Sequence, residues 1–174
     1  MTAYILFGVV TVMNVAFSWR WLINPRSHGF YRFFAFESLV GLIIVQAGTW
    51  FLDLLSIRQI VASLLLSASL VLAIHGFWLL RFAGKPSGGF EQTTVLVTRG
   101  AYRYIRHPLY CSLLLFTAGS FLKSISGVSM LVASCAALFL VLTAFAEERE
   151  NLDRFGASYA SYRKQTRMFV PWLF

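Results

Sequence analysis

Acid is what this chain has least of. Only seven Asp and Glu stand among 174 residues, against 15 Lys and Arg, and charged residues together make up 13%. That is about half the share of an ordinary soluble domain. Cysteine is nearly absent too. Cys111 and Cys135 both fall inside apolar runs, which excludes a disulfide framework and leaves them as small packing residues. The three histidines, His28, His75 and His107, are scattered without paired Cys/His spacing, so no metal site is expected. With four prolines, no internal repeat and no low-complexity tract, nothing marks a linker, and a single domain over 1–174 follows. What remains is hydrophobic: 58% of residues, at a mean hydropathy of +0.69. A water-soluble globule could not cover so much apolar surface, and intrinsic disorder is excluded more firmly still.

The chain therefore reads as an all-α integral membrane protein. A spanning helix needs about 20 mostly apolar residues, and five stretches approach that: about 3–21, 33–52, 57–80, 108–122 and 127–145. The fourth is short, so one of its ends is expected to sit in protein rather than in lipid. It joins the fifth through Lys123-Ser-Ile-Ser126, a tight helical hairpin. Residues 1–82 thus hold three spans, and 83–174 a polar loop, the hairpin and a C-terminal tail. Of the 15 basic residues, 13 fall in the segments after spans one, three and five, leaving only Arg58 and Lys123 on the other side. Lys and Arg favour the cytosolic side, which predicts the N-terminus outside and the C-terminus in the cytosol. The basic net charge of +8 then reports topology, and no nucleic-acid partner is needed to explain it. No cleavable signal peptide is expected, since no basic residue precedes Arg20.

Two polar segments on the basic side offer chemistry. The first contains Gly84-Lys-Pro-Ser-Gly-Gly89, which lacks the Gly-Lys-Ser/Thr ending of a phosphate loop and reads as a flexible turn. It continues into Arg99-Gly-Ala-Tyr-Arg-Tyr-Ile-Arg-His-Pro108. Pro108 marks the start of span four. Arg106 and His107 then stand at a helix N-terminus that favours an anion; equally, Arg106 could snorkel to head groups while His107 caps the helix. The second segment opens on Glu147-Glu148, unexpected at a helix C-terminus, where the dipole disfavours acid. The pair suits hydroxyls or an ammonium group of a ligand. Phe155, Tyr159 and Tyr162 follow at i, i+4 and i+7, one face of a short helix on the bundle or the interface. Inside the spans, Asn14, Glu37 and His75 lie toward the same end; such groups line a cavity or pair with one another, as Glu37–His75 or Glu37–Arg32.

In order along the C-terminal half come 96–110 (Leu-Val-Thr-Arg-Gly-Ala-Tyr-Arg-Tyr-Ile-Arg-His-Pro-Leu-Tyr), Glu147-Glu148, Phe155-Gly-x-x-Tyr159-x-x-Tyr162 and Val170-Pro171. This arrangement resembles the isoprenylcysteine carboxyl methyltransferase family, with its prokaryotic relatives and the phospholipid N-methyltransferases. Ser27–Phe33 looks like a segment of the bacterial branch. The resemblance implies S-adenosylmethionine at the cytosolic end of the last two spans, in a bacterial inner membrane, with a lipophilic acceptor arriving from the bilayer. It implies Arg106, His107 and Pro108 at the methionine carboxylate, Glu147 and Glu148 at ribose or amino groups, and Tyr102, Tyr104 and Tyr110 against adenine or sulfonium. Glu37 or His75 would take a proton from an amine acceptor, with Arg106 also at the reacting centre. The chain departs from the family's common pattern at Ala101, often proline, and at Ser112, often glycine. Two other readings stay open at this point: an NADPH-dependent membrane sterol or steroid reductase, and a non-catalytic membrane subunit of the same fold.

Overall fold

The computed structural model describes residues 2–51, 53–87 and 93–171. Leu52, at the expected end of span two, and Gly88 and Gly89 of the glycine-rich turn lie outside them. Five apolar helices form: α1 (Thr2–Leu22), α2 (His28–Gln46), α3 (Ile57–Ala83), α4 (Pro108–Lys123) and α5 (Gly127–Phe155), followed by the short α6 (Ala157–Gln165). Four are long and apolar enough to cross a membrane, and α4, at 16 residues, is the shorter fifth. The chain is a multi-pass helical membrane protein.

Local chemistry sets the boundaries. The Ser27 and Ser56 hydroxyls accept the backbone N–H of Phe30 and Gln59 and so start α2 and α3. Ser126 and Ser129 form a reciprocal capping box at the start of α5. Three boundaries differ from the hydropathy reading by five residues or more, among them the end of α2, which stops at Gln46 instead of near 52. Helix α2 begins five residues earlier, at His28, because the Ser27 cap starts it before the apolar run does. Helix α5 runs ten residues past Phe145, since nothing in 146–155 breaks a helix until Gly156, at φ +53. Phe155 therefore closes α5, while Tyr159 and Tyr162 belong to α6, so the expected aromatic stripe is split by a turn.

In space, α3 packs on α4, α4 on α5, α5 on α2 and α2 on α1. Helix α1 buries little of itself and is held to α2 by polar contacts. There the Thr11 hydroxyl and Asn14 Nδ2 donate to the two Glu37 carboxylate oxygens, each at 2.8 Å. At the opposite end of the bundle, the hairpin between α4 and α5 is tied to the start of α3. Arg58 Nη1 donates to the carbonyls of Leu122 and Lys123 at 2.9 and 3.0 Å, and Gln59 Nε2 to that of Lys123 at 3.0 Å. Lys123, itself buried, donates from Nζ to the Ser63 hydroxyl at 2.9 Å. The two basic residues on the poorly charged side are thus structural. Arg58 satisfies the last carbonyls of α4, which have no partner within the helix, Lys123 ties that end of α4 to α3 through Ser63, and both charges suit the helix dipole.

Gln59 is fully buried, and the Lys123 carbonyl it meets keeps Arg58 as a second donor. We expect Gln59→Leu to cost about 0.5–1.5 kcal/mol, the net worth of one hydrogen bond, read as a lower unfolding temperature in detergent.

Candidate active site

The site forms where α2, α3, α4, α5 and α6 converge at the basic end. Its floor is the N-terminus of α4, reached by an unusual path. After α3 the chain makes a 3-10 turn at Gly100–Arg103 and then runs extended into Pro108. The tail after α6 returns alongside it. The Arg106 and His107 backbone N–H groups donate to the carbonyls of Arg167 and Met168 at 2.8 and 3.2 Å, and the Arg167 N–H to that of Tyr104 at 3.1 Å. This parallel pairing fixes the segment before the helix without a regular sheet.

His75 holds the turn from α3. Its Nε2 accepts the Ala101 backbone N–H at 3.3 Å. Gly100, at φ +60, passes so close that a Cβ there would stand 2.7 Å from His75 Nε2 and 2.6 Å from a Leu79 methyl. Only glycine fits both demands. The departure at Ala101 now has a physical reading: proline has no N–H to give His75. From the other side, the Tyr162 hydroxyl donates to the Tyr102 carbonyl at 2.6 Å. Burial pushes the phenols of Tyr159 and Tyr162 above their ordinary pKa, so both stay protonated.

One carboxylate organises the centre. Glu148, 4% exposed, accepts Arg106 Nε at Oε1, with Arg163 Nε 3.2 Å from Oε2 and His107 Nε2 3.5 Å from Oε1. Arg106 Nη1 donates to the Thr166 carbonyl at 2.6 Å. Arg106 and Glu148 therefore bind each other and the tail; the guanidinium is neither snorkelling nor held open for a ligand. His107 occupies the N-cap position of α4, but its side chain does not cap the helix. A second carboxylate, Glu150, accepts both the backbone N–H of His28 at 2.8 Å and its Nδ1 at 2.6 Å. That clamp anchors the start of α2 on α5, and Arg32, one helical turn on, reaches the site.

Enclosed by these elements is a cavity of about 320 Å³, within the range of small-molecule sites. Of the residues expected at a cofactor, Tyr102, Arg106, His107, Tyr110 and Glu147 line it. Tyr104 does not; it is half exposed beneath the Arg103 guanidinium. Pro108 is buried behind the lining as the first residue of α4, and Glu148 lies behind Arg106 and His107. The two carboxylates of the pair thus part company: Glu147 lines the cavity and Glu148 does not. Glu37 faces α1 and His75 faces the turn, so neither of these expected catalytic residues lies in the lining.

The sequence reading passed over several lining residues. Asn151 lies one turn beyond Glu147, and Arg32 and Phe36 come from α2. Tyr159, expected on one face of a short helix, lines the cavity too. It is 2% exposed, and its hydroxyl lies toward Asn151 without completing a hydrogen bond in the structure. A helical-wheel reading of 147, 151 and 155 at i, i+4 and i+8 was the signal that could have found the α5 wall. Ser112 also lines the cavity, but its hydroxyl turns back to the Leu109 carbonyl at 2.6 Å, leaving little polarity there.

A helical membrane bundle with a largely apolar and aromatic cavity, carrying a few polar side chains, at the open end of its last hairpin is the class this structure defines. The family profile described as phospholipid methyltransferase matches residues 57–157, from the start of α3 to the start of α6. The chain belongs to that family. It is also similar to methanethiol S-methyltransferase of Crocosphaera subtropica, at 28% identity over 99% of this chain and 61% of that protein. With methanethiol S-methyltransferase 1 of Bradyrhizobium diazoefficiens it shares 28% identity over 41% of this chain and 24% of the relative. The chain thus spans less than two thirds of the length of these relatives. No solved structure gives a significant match.

Breaking the Arg106–Glu148 pair leaves a buried charge without its partner. We expect Glu148→Ala to destabilise the fold by about 3–5 kcal/mol, whereas Glu147→Ala, whose side chain is half-buried, leaves the unfolding temperature close to the parent. Thermal unfolding of the two variants side by side checks this.

Proposed function

We propose that the protein transfers a methyl group from S-adenosylmethionine to a polar nucleophile on a lipophilic acceptor, at the cytosolic face of a bacterial inner membrane. The observation that carries this reading is the cavity wall of Glu147, Asn151 and Tyr159, facing the N-terminus of α4.

The residues present fit the donor. Glu147 makes no hydrogen bond or ion pair among the described residues, and Tyr159 offers a buried hydroxyl that nothing in the structure satisfies. A carboxylate, an amide and a phenol side by side suit vicinal hydroxyls and an amino group. Across the cavity, the first N–H groups of α4 are not used within the helix, and with His107 they suit the methionine carboxylate. Arg106 contributes by holding Glu148 and the tail, which orients His107. The faces of Tyr102 and Tyr110 suit a sulfonium cation.

Bound there, S-adenosylmethionine supplies an electrophilic methyl group. Held between Glu147, Asn151 and Tyr159 on one side and the start of α4 on the other, it would present that methyl group to a lone pair of the acceptor. The protein's work is alignment. A carboxylate or thiolate acceptor needs no base. A neutral thiol or amine must lose a proton, and Glu37 and His75 lie outside the lining and so are not placed to receive it there. The names of the relatives make a thiol a reasonable nucleophile to try.

Calorimetry in detergent tests the reading. S-adenosylhomocysteine should bind with micromolar affinity and NADPH should not. Glu147→Gln and Tyr159→Phe should each weaken binding by about tenfold, the worth of one hydrogen bond to a charged or buried group. Glu37→Gln, between α1 and α2, should leave the affinity unchanged. Failure of folded parent protein to bind the homocysteine analogue would sink the proposal.

A further inference from the structure

A second recess opens at the basic end of the bundle, outside the active-site cavity, where the end of α5 meets α6 and the tail. It measures about 610 Å³. Phe145, Glu148 and Leu152 of α5 line it at i, i+3 and i+7, a helix face about a quarter turn round from the one that carries Glu147 and Asn151. Arg163 and Lys164 of α6 and Arg167 of the tail supply the other wall.

Four of the lining residues are basic, Arg106 with these three, and one, Glu148, is acidic, an excess of three positive charges. Only part of that charge is met within the protein. Arg106 and Arg163 turn to Glu148, and the Arg163 side chain is still 42% exposed. The Lys164 ammonium and the Arg167 guanidinium, both on exposed residues, make no hydrogen bond or ion pair among the described residues. Bases scattered over a surface need no ligand, since water serves them. These differ in sharing one recess and in what adjoins them. Phe145, 47% exposed, ends the apolar run of α5, and Leu152 carries the same face up among the bases. The recess therefore spans the height at which hydrocarbon gives way to positive charge.

An anionic phospholipid matches both surfaces, its phosphate against the bases and the upper part of one acyl chain against the apolar wall. A soluble phosphate leaves that wall unused. A zwitterionic phospholipid brings its own ammonium group to the same bases and fits less well.

We propose that this recess binds an anionic phospholipid, with Lys164 and Arg167 on its phosphate and Phe145 along its chain. The site does not depend on what the cavity binds. It bears on the cavity through the tail: Arg163 reaches Glu148, Glu148 holds Arg106, and the Arg167 backbone pairs with Tyr104 and Arg106. A lipid bound to α6 and the tail together braces the segment that leads into α4. It also stabilises the fold by mass action, because the unfolded chain has no such recess.

Thermal unfolding of the full chain in a neutral detergent reads the binding, titrated with dioctanoyl phosphatidylglycerol, dioctanoyl phosphatidylcholine or inorganic phosphate. Phosphatidylglycerol should raise the unfolding temperature saturably, and the other two should not. Lys164→Gln combined with Arg167→Gln should weaken the apparent affinity for phosphatidylglycerol by about 25-fold, about fivefold for each base near an anionic head group. Arg20→Gln combined with Arg26→Gln removes the same charge from exposed positions at the same end of the bundle, outside the recess. That control should bind as the parent does. Equal losses in the two double variants would reduce the effect to general surface charge, and an equal response to phosphatidylcholine would remove the role of charge; either overturns the site. A response to inorganic phosphate matching that to the lipid overturns the lipid as occupant.

Photolabelling of the parent keeps the proposal testable should the recess variant fail to fold. Phosphatidylglycerol with a diazirine high on one acyl chain should label Phe145 and Leu152, with labelling suppressed by excess unlabelled phosphatidylglycerol and not by phosphatidylcholine. Label at Leu64 and Val71, on the exposed apolar surface of α3, should fall alike with either competitor. If Phe145 responds as Leu64 does, the recess is ordinary lipid-contacting surface and the proposal fails.

Discussion

A helix of 16 residues is about 24 Å long, too short to bring both its ends to water across a hydrocarbon core of about 30 Å. Helix α4 must therefore have its unpaired backbone groups met by protein, since lipid offers no hydrogen bonds. That constraint shapes both ends of the molecule. At the hairpin end, Arg58 and Gln59 reach from α3 to its last carbonyls. At the other end the tail runs back beside residues 104–107, so the helix starts beneath a roof of protein instead of at the surface. The recess under that roof is the cavity. A longer fourth helix would have opened directly to solvent and left no enclosed space.

The roof is held by charge, and this accounts for the scarcity and placement of acid. Glu148 collects Arg106 and Arg163, and Glu150 collects His28, so two of the chain's few carboxylates bind the tail and α2 to the last long helix. An ion pair at such depth gains little net stability over an apolar contact but fixes geometry, because breaking it strands a charge. Glu147 is left over from this arrangement. Adjacent residues on a helix project about 100° apart and do not share a face, so one glutamate of the pair turns to the arginines and the other to the cavity. Two acids side by side in sequence have two unlike jobs.

Much of this was legible before any coordinates. Apolar run lengths gave the five helices, Pro108 and Lys123–Ser126 gave the hairpin, and the spaced motif blocks gave the region of the site. The misplacements have physical causes. Hydropathy marks where lipid begins, not where a helix ends, so the last ten residues of α5, which carry the cavity wall, lay beyond the expected span. Glu37 and His75 looked functional because ionisable groups inside membrane spans often are. Yet Thr11 and Asn14 satisfy the first, and Ala101 the second, partners whose approach depends on helix rotation and on a 3-10 turn that no periodicity encodes. Arg32 was counted as a topological charge because its reach into the site depends on the His28–Glu150 clamp, a contact across 122 positions.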